Sequence, residues 1–229
     1  MQTFDQQFSR RTLIGGAALL GLATLPGCAT TIGSLNLVDA IRRLLTISSQ
    51  RAFASLLQPG GFYDSQIARI TLPRELGGAG ASNSILAVLG SNLIRDRLEK
   101  QLNRAAEVGA ERAAPMVTQA IKSMTINDAL GVIRGGSQAA TILLEQQMGT
   151  ALFDAMLPGV TQGLNSNDAA IITQALRLTT GINLTGIAED VSRKGSRAIY
   201  NAIGAEEAAI RANPSSANDP LLLAVLGVL

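Results

Sequence analysis

Histidine and tryptophan are absent from this 229-residue chain, and cysteine occurs only once. Without an imidazole side chain, the protein has neither a histidine base for catalysis nor a histidine ligand for a metal ion. A single thiol excludes an internal disulfide framework, and it also excludes zinc and iron–sulfur sites held by several thiolates. We therefore expect no cofactor and no bound metal.

Charged and aromatic residues are also scarce. Charged residues make up 16% of the chain and aromatic residues 3%, and the formal net charge is only +2. Nucleic-acid binding relies on basic patches and stacking rings, and the chain has no run of five basic residues. We therefore expect no nucleic acid among its partners. Hydrophobic residues reach 47%, a share that favours a folded core over disorder.

The first 27 residues have the pattern of an export signal. Arg10 and Arg11 precede an uncharged apolar stretch, Thr12 to Leu25, and small residues follow it. As a helix the stretch would measure about 21 Å, which is short of the ~30 Å hydrocarbon core, so we predict a processed leader rather than a permanent span. The arginine pair resembles a twin-arginine signal. Gly15 stands where a lysine is common, and the general secretory route stays open as the alternative.

A second signal lies where the apolar stretch ends. Leu25-Pro26-Gly27-Cys28 resembles a bacterial lipobox, in which the cysteine thiol receives diacylglycerol and becomes the new N-terminus. Cys28 is therefore the predicted lipid attachment site, and several acyl chains, palmitate among them, would hold the protein stably at a membrane. Ala29 in place of an aspartate favours the outer membrane over the inner membrane. The alternative is a free thiol in a discarded leader.

The rest of the chain is predicted to be all-α. Apolar residues recur every three or four positions, which predicts a first helix over residues 35–57 that stops at Pro59-Gly60-Gly61. Near residues 62–73 the helical period is lost, and a proline disfavours helix before it, so we predict one short extended segment there. The predicted domains are residues 1–27 as signal, 28–34 as lipidated cysteine and tether, and 35–229 as a single domain of about six to eight helices.

Local signals predict where later helices begin and end. Pro115 is predicted to open a helix at its first turn. The sequence Thr125-Ile126-Asn127-Asp128 has the spacing of a capping box, and its helix is predicted to end at Gly135-Gly136. Ser137 is then predicted to cap a helix that is bent or broken at Pro158. Further turns, caps or hinges are predicted at residues 77–84, 166 and 181–185, the last of them before a long helix that reaches residue 211.

Short blocks of sequence follow one another in a distinctive order. They are Gly61-Phe62, Ile70-Thr71-Leu72-Pro73, Asn103-Arg104-Ala105-Ala106-Glu107, Met124-Thr125-Ile126-Asn127-Asp128-Ala129, Gly135-Gly136, Ala139-Ala140-Thr141, Glu206-Glu207 and Ile210-Arg211-Ala212-Asn213-Pro214. Together they resemble the bacterial family of domain of unknown function 4197 over about residues 35–226. The resemblance implies an exported or lipoprotein-like helical domain without an assigned activity. The chain departs from similar proteins at its apolar end, residues 221–226, which we predict to pack in the core, with a protein or membrane contact as the alternative.

Four polar residues within these blocks form a candidate interaction surface: Asn103, Arg104, Glu107 and Asp128. Arg104 and Glu107 lie one helical turn apart and are predicted to pair, a contact that contributes about 0.2–0.5 kcal/mol. Asp128 is predicted to cap a helix. The neighbours Glu206-Glu207 point to different sides of a helix and do not form a carboxylate pair.

We therefore predict a non-enzymatic lipoprotein of the cell envelope that faces the periplasm. It would be a helical interaction or scaffold module, with the membrane and an envelope protein as its partners. One alternative is a carboxylate-based hydrolase or metal-dependent enzyme, for which Glu107, Asp128 and Glu145 are the nominal candidates. Another is a carrier of apolar small molecules or lipids. Clustering of the polar candidates in one concave site would favour an enzyme, whereas dispersal over separate helices would disfavour it.

Overall fold

The computed structural model describes residues 36–72, 92–166 and 184–227. Seven α-helices, one 3-10 helix over Pro214–Ala217 and no β-strand occur in these ranges, so the all-α prediction is confirmed. The signal, the lipobox, the turn and cap predicted at residues 77–84 and the helix predicted to follow Ser166 lie outside them. The hinge predicted over residues 181–185 lies outside them up to residue 183, and residues 184–185 are helical, so that part of the prediction is wrong. The helices are α1 (Leu37–Leu56), α2 (Asn92–Ser123), α3 (Ala129–Arg134), α4 (Ala139–Met148), α5 (Ala151–Leu164), α6 (Leu184–Ala212) and α7 (Pro220–Leu226).

Helix α1 agrees with the apolar period that predicted it. The Asn36 side chain accepts a hydrogen bond from the Asp39 backbone N–H at 3.0 Å and caps the first turn. Apolar residues every three or four positions are buried on one face, Ile41 and Leu44 among them. The helix ends at Leu56, one residue short of the prediction. None of the helices in the described ranges has the length and apolar character needed to cross a bilayer.

The segment after α1 is less extended than predicted. Residues 57–68 form successive turns and bends, interrupted at residue 65, and residues 69–72 have neither helix nor turn. Phe62 and Ile70 anchor the segment in the core. The Asn103 side-chain amide accepts from the Ile70 N–H and donates to the Ile70 carbonyl, both at 2.8 Å. Because this amide supplies the bonds that a neighbouring strand would otherwise make, the segment packs without a sheet.

Helix α2 is continuous through the position where a helix start was predicted. It spans 32 residues, about 48 Å at 1.5 Å per residue, and Pro115 lies inside it. The prediction that Pro115 opens a helix is therefore wrong. A proline removes the hydrogen bond to the carbonyl of residue 111, an exposed position, whereas Ala113 and Val117 on either side are fully buried. Packing of both halves against the core outweighs the lost bond.

The short helices α3 and α4 begin differently from the prediction. Asp128 itself is the N-cap of α3, because its side chain accepts from the Gly131 N–H at 2.8 Å. The predicted capping role of Asp128 is confirmed, whereas a capping box that begins at Thr125 is wrong. Helix α3 ends before Gly135, as predicted. The N-cap of α4 is Gln138, which makes no side-chain capping bond, so the prediction of Ser137 as cap is also wrong.

The break between α4 and α5 falls at Gly149, not at Pro158. Gly149 has a φ of +53°, which a residue with a β-carbon rarely adopts, and it ends α4 there. Pro158 lies within α5 at an exposed position. The prediction of a bend or break at Pro158 is therefore corrected to a break nine residues earlier.

Helices α2 and α5 pack closely because small residues meet at their contact. A β-carbon on Gly159 would lie 2.7 Å from the Val108 carbonyl oxygen and 2.8 Å from the Gly109 α-carbon. Helix α6 in turn packs against α1, α2, α4 and α5. The apolar chain end also joins this core, since Leu222 and Val225 of α7 are buried, which confirms the packing predicted for it.

Candidate functional site

A polar recess lies between the turn after α1 and the first half of α2. We call it the Tyr63 pocket, and its volume is about 480 Å³, within the usual range for small-ligand sites. It is lined by Gly60, Tyr63, Asp64, Lys100, Gln101, Arg104 and Glu107.

The turn that carries Tyr63 depends on two glycines. Gly60 has a φ of +83°, which favours glycine. A β-carbon on Gly61 would overlap the carbonyl oxygens of Ser55 and Leu56. Phe62 then enters the core with no exposed surface, so that the next side chain, Tyr63, lies at the pocket wall.

Tyr63 is held by charged side chains of α2 and of its own segment. Its hydroxyl donates to the Asp96 carboxylate, and Lys100 Nζ lies 2.9 Å from the same carboxylate. The Arg69 guanidinium lies 4.0 Å from the centre of the Tyr63 ring and pairs with Glu99 at 2.8 Å. Cation and ring attract each other through the ring quadrupole. The tyrosine is thus fixed by a hydrogen bond and by a stacked cation.

These contacts shift the titration of the groups involved. The Tyr63 hydrogen bond to Asp96 raises the pKa of the Tyr63 hydroxyl above its ordinary value. The hydrogen bond from Lys100, followed by that from Tyr63, lowers the pKa of Asp96, and Asp96 in turn raises the pKa of Lys100. Around neutral pH, Lys100 and Asp96 are therefore both charged and Tyr63 is protonated.

Arg104 and Glu107 form the predicted ion pair on the pocket wall. Arg104 Nη1 lies 2.6 Å from Glu107 Oε2. The two partners differ sharply in exposure, because the Arg104 side chain is 62% exposed and that of Glu107 only 4%. Glu107 Oε1 has no hydrogen-bond partner among the described residues. A buried carboxylate thus keeps one oxygen available to whatever enters the pocket.

The other two residues of the predicted surface lie elsewhere. Asn103 has no exposed surface, and besides its bonds to Ile70 its Nδ2 donates to the Glu99 carbonyl at 2.7 Å. Asp128 caps α3. Of the four residues predicted as an interaction surface, only Arg104 and Glu107 line the pocket.

Sequence reasoning missed the residues that complete the pocket, namely Tyr63, Asp64, Lys100 and Gln101. One usable signal was the four-residue spacing from Asp96 to Lys100, which places the two charges on one helix face. No local pattern connects Tyr63 to α2, because 32 residues separate Tyr63 from Asp96 and the contact is tertiary.

A second cavity, the methionine groove, lies between the last turns of α2 and the junction of α4 with α5. It has a volume of about 320 Å³. Gln147 closes one side, since it accepts from the Thr125 N–H at 3.0 Å and donates to the Thr125 carbonyl at 2.5 Å. Methionine side chains adapt to irregular apolar shapes. The lining residues are Met116, Gln119, Ala120, Ser123, Met124, Leu144, Gln147, Met148 and Ala151.

The three carboxylates nominated for catalysis do not meet in either cavity. Glu107 lines the Tyr63 pocket, Asp128 caps α3, and Glu145 is exposed on α4. Throughout residues 36–72, 92–166 and 184–227, no three acidic, histidine or cysteine side chains gather as a group that could hold a metal ion.

The blocks that suggested a family also meet in space. Asn103 of one block binds Ile70 of another, and Glu207 of a third binds the backbone of Ala140 and Thr141. The family model described as "Protein of unknown function (DUF4197)" matches residues 31–227. No curated protein and no solved structure matches the chain. The chain therefore belongs to the DUF4197 family, as the ordered blocks indicated.

Proposed function

We propose that the protein is a non-enzymatic lipoprotein of the bacterial cell envelope. In this proposal, the arginine-pair signal directs export of the protein. Acyl chains on Cys28 then hold it at a membrane, and the outer membrane is preferred to the inner membrane. The helical domain then faces the periplasm and binds its partner at the Tyr63 pocket.

The observation that carries the proposal is the way the pocket's charges are arranged. Lys100 is held by Asp96 at 2.9 Å and Arg104 by Glu107 at 2.6 Å. Ion pairs hold their side chains in place, and fixed charges next to an aromatic ring suit recognition of a complementary group. A proton-transfer enzyme instead needs an acid and a base on either side of a reacting group. The dispersal of Glu107, Asp128 and Glu145 supports binding over catalysis.

The anchor part of the proposal is tested by a Cys28→Ala strain. The unaltered protein is expected in the membrane fraction, with an acylated N-terminal peptide in mass spectrometry. The variant is expected in the soluble envelope fraction or as an uncleaved precursor, because it lacks the sulfur that accepts the lipid. An unmodified thiol on a membrane-bound wild-type protein would contradict the anchor.

The binding part is tested by photo-crosslinking in intact cells. A photoreactive amino acid replaces Gln101, which lines the pocket, or Gln146, which is exposed on α4 and outside both cavities. We expect one defined adduct from position 101 and none from position 146. The same adducts from both positions would show that the pocket has no special role in binding.

A carrier of apolar molecules is the second candidate, because the methionine groove offers an apolar cleft of about 320 Å³. Its size is at the lower end of ligand sites. Methyl-TROSY spectra of methyl-labelled methionines, recorded with and without lauric acid, test this function. A carrier function predicts saturable shifts of Met116, Met124 and Met148, whereas the interaction module predicts none.

A further inference from the structure

We propose that the outer face of helix α7 lies on the membrane that holds the protein, with its apolar side chains at the boundary between lipid headgroups and acyl chains. This orientation rests on the proposed function, because the acylated Cys28 brings the membrane close. It turns the Tyr63 pocket away from the lipid.

Helix α7 is apolar on its outer face as well as on its inner face. Leu222 and Val225 lie in the core at 0% and 5% exposure. The outer positions are three or four residues apart and therefore share one side of the helix and its C-cap. All of them are exposed, and none has a polar side chain: Pro220, Leu223, Ala224 and Gly227.

Such a face is unusual for a helix in contact with water. Surface helices normally have polar or charged side chains on their outer side. Leu223 is instead 51% exposed, and no residue of α7 is charged. Helices that lie in a membrane interface bury their apolar face at the headgroup boundary. The outer face of α7 therefore suits a lipid surface.

Helix α7 also begins beside the start of α1, the first described helix after Cys28. Its N-cap, Asp219, pairs with Arg43 at 3.0 Å. Arg43 lies six residues from the first residue of α1, about 9 Å along the helix. Cys28 precedes Asn36, the N-cap of α1, by eight residues, which span at most about 29 Å. A membrane that holds the acyl chains is therefore within reach of α7.

The Tyr63 pocket lies toward the other end of α1. Near the start of α1, Arg42 donates to the carbonyl of Met124, the residue after α2. Tyr63 follows the end of α1 and donates to Asp96, near the start of α2. Helices α1 and α2 are therefore antiparallel, and α1 is about 30 Å long. A bilayer beside α7 leaves the pocket accessible to a partner in the periplasm.

The contact of α7 with lipid can be weak and still set the orientation. Its seven residues measure about 10 Å, far less than the ~30 Å hydrocarbon core, so α7 lies on the membrane and does not cross it. Once the acyl chains are inserted, contact by α7 is an intramolecular event with a high effective concentration. Modest burial of apolar side chains is then sufficient.

Fluorescent labels at two exposed leucines test this orientation in the acylated full chain. Leu223→Cys puts a nitrobenzoxadiazole label on the outer face of α7. Leu93→Cys, at the start of α2, is the matched control, because Leu93 is 75% exposed and lies at the opposite end of α1. Cys28 is the only native cysteine, and its acylated sulfur does not react with the label. Both substitutions are at the surface, so both variants should fold normally.

The labelled proteins are reconstituted into vesicles of phosphatidylethanolamine with a minority of phosphatidylglycerol. We expect spin labels on the lipid acyl chains to quench position 223 at least about fivefold more strongly than position 93, because only the label on α7 enters the interface. Iodide in the water should quench position 93 more strongly. Equal lipid quenching at the two positions would overturn the orientation. Shielding of position 223 from iodide without lipid quenching would also overturn it, since a protein, such as a second copy of this chain, would then cover α7.

Mass spectrometry of the N-terminal peptide separates this orientation from the anchor itself. If Cys28 is acylated and the label at position 223 remains in water, the contact of α7 with lipid is wrong and the proposed function stands. If Cys28 carries no lipid, the anchor is wrong, and the orientation that depends on it fails as well.

Discussion

At the scale of a single residue, Tyr200 has a buried hydroxyl group without a hydrogen-bond partner among the described residues. The residue is 6% exposed, and its hydroxyl makes no hydrogen bond with any described residue. Removing such a group recovers its desolvation cost, about 1 kcal/mol or more. We therefore expect Tyr200→Phe to raise the free energy of unfolding at pH 7 in urea titrations. A loss of stability would show that the hydroxyl has a favourable contact.

The same residue predicts a dependence on alkaline pH. Burial, with a smaller contribution from Glu145, raises the pKa of Tyr200 to about 12, whereas the unfolded chain ionises near 10. Between these values the unfolded state has lost the proton and the folded state keeps it, so stability falls as pH rises. The free energy of unfolding of Tyr200→Phe, relative to that of the wild type, should increase by on the order of 2 kcal/mol between pH 10 and pH 12. Urea unfolding at several pH values measures the difference.

At the scale of helices, Glu207 of α6 replaces the missing cap of α4. Its carboxylate accepts from the N–H groups of Ala140 and Thr141 at 3.0 and 2.7 Å, and Arg211 Nε lies 2.8 Å from it. Arg211 also donates to the carbonyls of Val132 and Ile133, the two residues before the last residue of α3. One buried ion pair thus joins three helix ends.

The neighbouring acids of α6 allow a matched test of this junction. Glu207→Ala leaves Arg211 without its partner and α4 without a cap. We therefore expect it to lower the free energy of unfolding by about 3–5 kcal/mol. Glu206 lies 4.0 Å from Arg51 with both side chains 35% exposed, and Glu206→Ala should cost less than about 1 kcal/mol. Urea unfolding compares the two variants. Equal losses would refute the junction.

Alanine substitutions at two glycines are expected to change stability in opposite directions. In Gly159→Ala the new β-carbon would meet backbone atoms of α2 at 2.7 and 2.8 Å, so helices α2 and α5 must separate. We expect a loss of about 1–3 kcal/mol. In Gly186→Ala, on α6, the new β-carbon would have no other atom within 4 Å. Because alanine has the higher helix propensity, this variant should be more stable than wild type by up to about 1 kcal/mol. Thermal melts followed by circular dichroism distinguish the two outcomes.

At the scale of the whole molecule, residues 35–229 form one compact unit. Helix α6 packs against α1, α2, α4 and α5, so none of these four helices can unfold without exposing its contact with α6. We expect far-ultraviolet circular dichroism and tyrosine fluorescence to report the same urea midpoint, as in a cooperative transition. Two separate midpoints would show that part of the domain unfolds alone.

Most of the fold was accessible from local sequence patterns. The apolar period predicted α1 to within two residues at its start, and the carboxylate of Asp128 was recognised as a cap because a capping side chain lies next to its helix. The predictions failed at Pro115 and at Ser137, where distant residues decide the outcome: burial on both sides of the proline keeps α2 continuous, and Glu207 caps α4 from another helix.

The candidate site was less predictable. The Arg104–Glu107 pair follows from three-residue spacing on a helix, but Tyr63, Asp64 and Lys100 come together only because the turn after α1 packs onto α2. Asn103 illustrates the opposite case, because its amide lies in the interior, where it holds Ile70, and not on a surface.

By itself the sequence determined that the chain is helical, the Arg104–Glu107 pair and the family to which the chain belongs. These features depend on side chains a few positions apart, and such spacing can be recognised in the sequence without knowledge of the fold. Only the tertiary structure decided where α4 is capped, why α2 passes through Pro115 and that a polar pocket forms around Tyr63. Those outcomes join residues tens of positions apart, and their energies arise only when helices pack and exclude water.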